Sequence, residues 1–218
     1  MNLTSPLHSL IPSLDSVVLE VLACTEGALG VSRIHRLGGR GSRAGISLVL
    51  DRLVEHGLVL AEPSNVGSVY RLNREHVLFE AILVASDARQ EFLRRLGEAC
   101  SRLRPEPITA ALFGSVARRE SGPASDIDLL VVVPDTTDTQ ADAWTDQLDS
   151  LRRRVLAWTG NRLEPIVVTS AHLQTLHDAG EPITRSWQDD AVTIFGTDVA
   201  NTLGGRAQQA LRPGREVA

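Results

Sequence analysis

Apolar residues near the start of the chain recur at intervals of three and four, the spacing of one helix face. Leu14, Val17, Val18, Val21 and Leu22 follow Pro12 and Ser13, a helix-start signal, and predict a first helix ending near Gly27. A short second helix, "VSRIHRL", stops at Gly38 and Gly39. Ser42 then caps a third, whose stripe is Ile46, Val49, Leu50, Leu53 and Val54, with Gly57 closing it. There the periodicity changes. "LVLAEPSNVGSVYRL" is two short β runs around Pro63, Ser64, Asn65 and Gly67, which predicts a hairpin.

Helix, helix, helix, hairpin is the order of a winged helix-turn-helix, assigned to residues 1–73. One long linker helix is expected next, roughly Arg74 to Leu103 within residues 74–104, with Phe92, Leu96, Ala99, Cys100 and Leu103 on its stripe. "RPEP" breaks it, because proline disfavours helix at the residue before it. A second module, residues 105–200, alternates strand (Ile108 to Phe113), short helix, strand (Ile127 to Val133), helix (about Thr139 to Trp158) and strand (Leu163 to Thr169). That alternation predicts an α/β (α+β) unit with a mixed sheet. Residues 201–218 are expected to be a flexible tail, since Arg206 to Ala218 has no apolar periodicity.

Composition narrows the choice of partners. At 218 residues the chain has room for two small cores, and no apolar run approaches the roughly 20 residues of a membrane span. "MNLTSPLHSL" lacks the basic region and apolar stretch of a signal peptide, so the expected location is cytoplasmic. Cys24 and Cys100 both fall in apolar helical patterns and are expected as reduced, buried thiols. All 22 basic residues are arginine and the net charge is −5, so contact with nucleic acid requires a local patch. Such a patch exists, because no acid stands between Glu26 and Asp51 while Arg33, Arg36, Arg40 and Arg43 all do. With Ser42, these residues occupy the second helix, the turn and the start of the third, the parts that face a DNA groove.

The chemistry concentrates in "ITAALFGSVARRESGPASDIDLLVVV". Leu129 to Val133 reads as a strand buried on both faces, which has no solvent-side use for the carboxylates at its mouth. Residues i and i+2 on a strand share a face, so Asp126 and Asp128 project together while Ile127 and Leu129 enter the core. Carboxylates that close repel unless a cation lies between them. Magnesium commonly uses one or two carboxylates plus substrate phosphates. The pair therefore reads as a metal platform for a nucleoside triphosphate. Upstream, Gly114 lets the backbone turn close to a ligand, and Ser115 stands at a helix start where amides and a hydroxyl meet phosphate oxygens. Arg118 and Arg119, one turn on, are candidates to neutralise a leaving pyrophosphate. Six histidines offer no trusted metal spacing, since His172 and His177 are five apart, and no Ser-His-Asp arrangement is evident.

Gly114 and Ser115, ten residues, then Asp126-Ile127-Asp128 resembles the signature of the polymerase-beta-like nucleotidyltransferase superfamily, and "GSVARRESGPASDIDLLVVV" is similar to its minimal branch. "GISLVLDRLVEHGLV", "YRLNREHVL" and "DDAVTIFG" resemble a bacterial group that fuses a winged helix to such a domain. The resemblance implies a third carboxylate on a later strand, and Glu164 is the acid suitably placed there; Pro165, directly after it, marks an edge strand. It also points to Arg118 as the phosphate contact, although the glycine usual after that arginine is here Arg119.

The implied activity is transfer of a nucleoside monophosphate from a nucleoside triphosphate, with ATP expected, to a protein or RNA hydroxyl, using Mg2+ or Mn2+. A HEPN-type toxin is one such acceptor. Duplex DNA and a second copy of the chain complete the expected partners, and a membrane is not among them. Two other readings stay open: a DNA-binding regulator whose second domain only senses nucleotide, and an antitoxin-like interaction protein.

Overall fold

The computed structural model describes residues 1–65 and 67–203. The chain divides into two compact units, Asn2–Gln90 and a second that runs from Glu91.

In the N-terminal unit, α1 (Leu14–Ala23) starts at Ser13, whose side chain accepts from the Asp15 amide, and buries Val17, Val18 and Leu22. After β1 (Leu29–Gly30) comes α2 (Val31–Gly38), ended by Gly39 in the left-handed region (φ 63°). Ser42 Oγ accepts from the Gly45 amide at 3.1 Å and so caps α3 (Arg43–Glu55). β2 (Val59–Ser64) and β3 (Gly67–Leu72) form the antiparallel hairpin, and the sheet order is β1-β3-β2. Ile34, Ile46 and Leu50, fully buried, anchor a core shared with Val18, Leu22, Val59 and Leu72.

The expected single linker helix is instead two helices, α4 (Phe79–Ser86) and α5 (Ala88–Cys100). Asn73 starts a turn by accepting from the amides of Glu75 and His76, which delays the helix to Phe79. Asp87 then closes α4, its amide donating to Leu83 O, and its own carbonyl accepts from Gln90. Asp87 is thus the C-cap of α4 and stands directly before α5. The apolar stripe on α5 is as read: Phe92, Leu96, Ala99 and Cys100 are buried. Cys24 is not, because α1 stops at Ala23 and leaves that thiol exposed at the helix end.

The C-terminal unit is a mixed four-stranded sheet of order β6-β5-β4-β7. β4 (Thr109–Phe113) pairs antiparallel with β5 (Ile127–Val133), with α6 (Gly114–Ala117) between them. The long α7 (Asp142–Thr159) provides the crossover that lets β6 (Leu163–Thr169) run parallel to β5. Three further elements escaped the sequence reading: α8 (Ser170–Asp178), α9 (Pro182–Asp189) and β7 (Val192–Gly196), the last antiparallel to β4. Leu129 to Val133 are fully buried, as expected for a strand covered on both faces. Leu130, Val132, Ala111 and Phe113 pack against Leu173 and Trp187, and the rings of Phe113 and Trp187 meet edge to face at 6.0 Å. Residues 199–203 are helical and bury Val199 and Leu203, so the expected tail begins no earlier than 204. The rest of it lies outside the described residues. No described helix is long and apolar enough to cross a membrane.

Candidate functional site

The site is assembled at one end of the central strands. Gly114 follows β4 directly with φ 68°, a left-handed conformation that glycine adopts without strain. A Cβ there would collide with Oδ2 of Asp128. Glycine is thus required twice, for the turn and for the close approach of the carboxylate. Phe113 stands opposite Asp128 on β5, and Asp128 stands opposite Glu164 on the parallel neighbour β6. Residues opposite one another across a ladder share a face, with strands about 4.8 Å apart. Asp126 lies just before β5, exposed, and Asp128 is half-buried.

The electrostatics at Asp128 involve the same residues. Burial pushes the Asp128 carboxyl above the ordinary aspartate range, and the charges of Asp126 and Glu164 push it the same way, while Arg118 opposes them. Two neighbouring acids and one guanidinium therefore act on the Asp128 carboxyl. Among the described residues, however, no group of three or more His, Cys, Asp or Glu side chains is placed to enclose a metal ion. Asp126 and Asp128 meet the donor chemistry of a hard cation, two carboxylates beside the Gly114 turn, and Glu164 stands in register at the exposed edge.

Ser115, half-buried, begins α6 beside Gly114. The helix ends in a Schellman motif: the Arg119 amide donates to Val116 O, and the Glu120 amide returns to Ser115 O at 2.9 Å. The left-handed residue of that motif is Arg119, at φ 59°. Side chains other than glycine resist this conformation by about 1–2 kcal/mol. Arg118 is held from two sides, by Glu120 through Nε at 2.9 Å and by Asp190 through Nη1 at 3.4 Å.

Two residues that sequence reasoning passed over shape this site. Asn161, buried, donates through Nδ2 to the carbonyls of Pro123 (3.2 Å) and Ser125 (2.9 Å), fixing the loop that delivers Asp126. Asp190, at the end of α9, is the second anchor of Arg118. Only the acidic pair opening "DDAVTIFG" hinted at Asp190, and nothing in the sequence hinted at Asn161.

In the N-terminal unit, Arg33, Arg36, Arg40 and Arg43 are all exposed. The Ser42 hydroxyl is committed to capping α3, and Arg40 Nη2 lies 3.1 Å from His8 Nε2. A cavity of about 500 Å³ in this unit, lined by Leu22, Cys24, Arg74, Phe79 and Leu83 among others, contains none of the expected site residues.

No curated protein matches the chain. Among solved structures, it is similar to one described as "Crystal structure of the toxin-antitoxin with AMP-PNP", at 15% identity over 54% of this chain and 86% of that chain, with a TM-score of 0.36. That likeness is too loose to argue from. Residues 93–194, from within α5 into β7, match the model of the family described as Nucleotidyltransferase domain, and the matched span holds Gly114, Ser115, Arg118, Asp126, Asp128 and Glu164.

Proposed function

We propose that the C-terminal unit is a polymerase-beta-like nucleotidyltransferase that moves a nucleoside monophosphate from a nucleoside triphosphate, ATP by preference, to a hydroxyl on a protein or RNA. The observation that carries this is the Asp128 carboxylate seated against Gly114, flanked by Asp126 and in register with Glu164. Asp126 and Asp128 would hold magnesium or manganese, with Glu164 as a further ligand. When bound, the cation supplies charge to the phosphates and lowers the pKa of the acceptor hydroxyl. The Gly114–Ser115 turn receives phosphate oxygens, and Arg118 places positive charge nearby, its direction set by Glu120 and Asp190. As the bond from acceptor oxygen to α-phosphorus forms, the bond from that phosphorus to the bridging oxygen breaks, and pyrophosphate leaves. Pyrophosphate release from ATP with magnesium, at least about 100-fold slower in Asp128→Asn, is the expected result, judged by the loss of other preorganised charges. Equal release by the variant overturns the assignment.

The N-terminal unit reads as a winged helix-turn-helix that binds duplex DNA. Its element order and its β1-β3-β2 sheet support this. So does Arg43 in the first turn of α3, where the helix dipole disfavours a cation and a phosphate partner would compensate. A second reading keeps the DNA binding and makes the C-terminal unit a nucleotide sensor. The exposed Glu164, outside any ready three-carboxylate cluster, favours it.

A further inference from the structure

The loop after α6 spends conformational energy on an arginine. Arg119 occupies the left-handed position of a Schellman motif, φ 59°, where glycine fits without strain. It is the only residue other than glycine with positive φ among the described residues. The two neighbouring arginines are used differently. Arg118 is locked to Glu120 and Asp190, its charge already shared with two carboxylates. Arg119 is exposed and makes no ion pair among the described residues. Its backbone is fixed nonetheless, because the amides of Arg119 and Glu120 donate to Val116 and Ser115, returning the chain onto the Gly114–Ser115 turn. A strained residue at a candidate site is a reason to look for what its side chain does.

We infer that Arg119, an exposed arginine whose backbone is tied to the Gly114–Ser115 turn, is a phosphate-binding residue of this site and that its guanidinium contacts the β- and γ-phosphates of a bound nucleoside triphosphate. The inference rests on the nucleotide-binding reading above and assigns to Arg119 the contact that the resemblance assigned to Arg118. Guanidinium is suited to the task because its planar fork stays charged and matches phosphate oxygens in pairs. Arg118 keeps a separate role, offsetting the negative charge around Asp128.

The test is calorimetric titration of the full chain with α,β-methylene ATP and magnesium, and in parallel with AMP, for wild type, Arg119→Gly and Arg119→Lys. A lost charge-assisted hydrogen bond predicts that Arg119→Gly weakens the triphosphate analogue roughly 10-fold. AMP binding stays at the wild-type level, because AMP carries neither of the phosphates in question. Relief of strain raises the melting temperature of the unliganded glycine variant by roughly 4 °C. Arg119→Lys keeps the charge but loses the paired contact, so its triphosphate affinity falls between wild type and Arg119→Gly, with no gain in stability. If wild type binds the analogue and Arg119→Gly binds it equally well, this inference is overturned while the nucleotide site stands. Equal weakening of analogue and AMP also overturns it, since the loop would then be acting as structure alone. Failure of wild type to bind the analogue overturns both readings.

Discussion

Asp128 is where fold and chemistry compete. Its carboxyl is pushed up by burial first and by Asp126 and Glu164 second, so the folded chain holds a proton that the unfolded chain has already released. The native state then binds more protons than the unfolded state between the ordinary aspartate value and the raised one, and stability falls as pH climbs through that window. Above it the loss is complete and constant. Asp128→Asn removes the burden without changing the side chain's size. Thermal melts in chelator from about pH 3 to pH 7 should therefore show wild type and variant together at the acid end. They should part as pH rises, with the variant the more stable. Coincident melts throughout would mean that neither burial nor the neighbouring acids raise the Asp128 carboxyl. An aspartate at this half-buried place costs the fold something, and the proposed metal-holding role gives a reason for it.

Elements were legible where one strand or one helix settled the matter, and illegible where distant chain segments did. Alternation alone put Ile127 and Leu129 in the core and aimed Asp128 along the opposite face. The Gly39 and Ser42 boundaries of α2 and α3 also read directly, since capping is local. Asn161 could not be found this way, because its partners Pro123 and Ser125 lie 38 and 36 residues away. Asp190 is 72 residues from Arg118 and was equally out of reach. The break at Asp87 was local but ambiguous, as aspartate lowers helix propensity only modestly and does not by itself mark an end. Strand β6 carries the element-scale prediction. It is an edge strand, as Pro165 implied, so Glu164 can be altered without cutting a central ladder. Glu164→Gln removes charge and keeps shape. If Glu164 serves the acceptor hydroxyl, turnover in single-turnover pyrophosphate release should fall by about 100-fold while triphosphate affinity stays near wild type. Equal turnover excludes Glu164 from the chemistry. Intact triphosphate binding with no release by either protein makes the nucleotide sensor the better account.

On the scale of the whole molecule, the net charge of −5 sets the terms for any nucleic acid partner. A chain of that sign is repelled by DNA at long range, so affinity must come from contacts made within a Debye length, about 8 Å at physiological salt. The window between Glu26 and Asp51 supplies four exposed arginines and no acid. Along α3 the charge then turns from Arg43 at the start to Asp51 and Glu55 at the other end, both exposed, where the one cation, Arg52, is paired with Asp15. Such a gradient favours entry of the helix by its N-terminal end, the end that recognition helices present to base edges. Counterion release makes the consequence measurable. Four phosphate contacts give a slope of about −3.6 for log affinity against log salt, at about −0.9 for each contact. Arg40→Ala together with Arg43→Ala should bring it to about −1.8 on the same duplex. Titration of a labelled duplex with the full chain across a salt series reads both slopes. An unchanged slope in the double variant would place the contacts on other arginines. Absence of duplex binding by wild type at low salt would make the N-terminal unit a protein-docking module, because its exposed cations would then have no phosphate to meet.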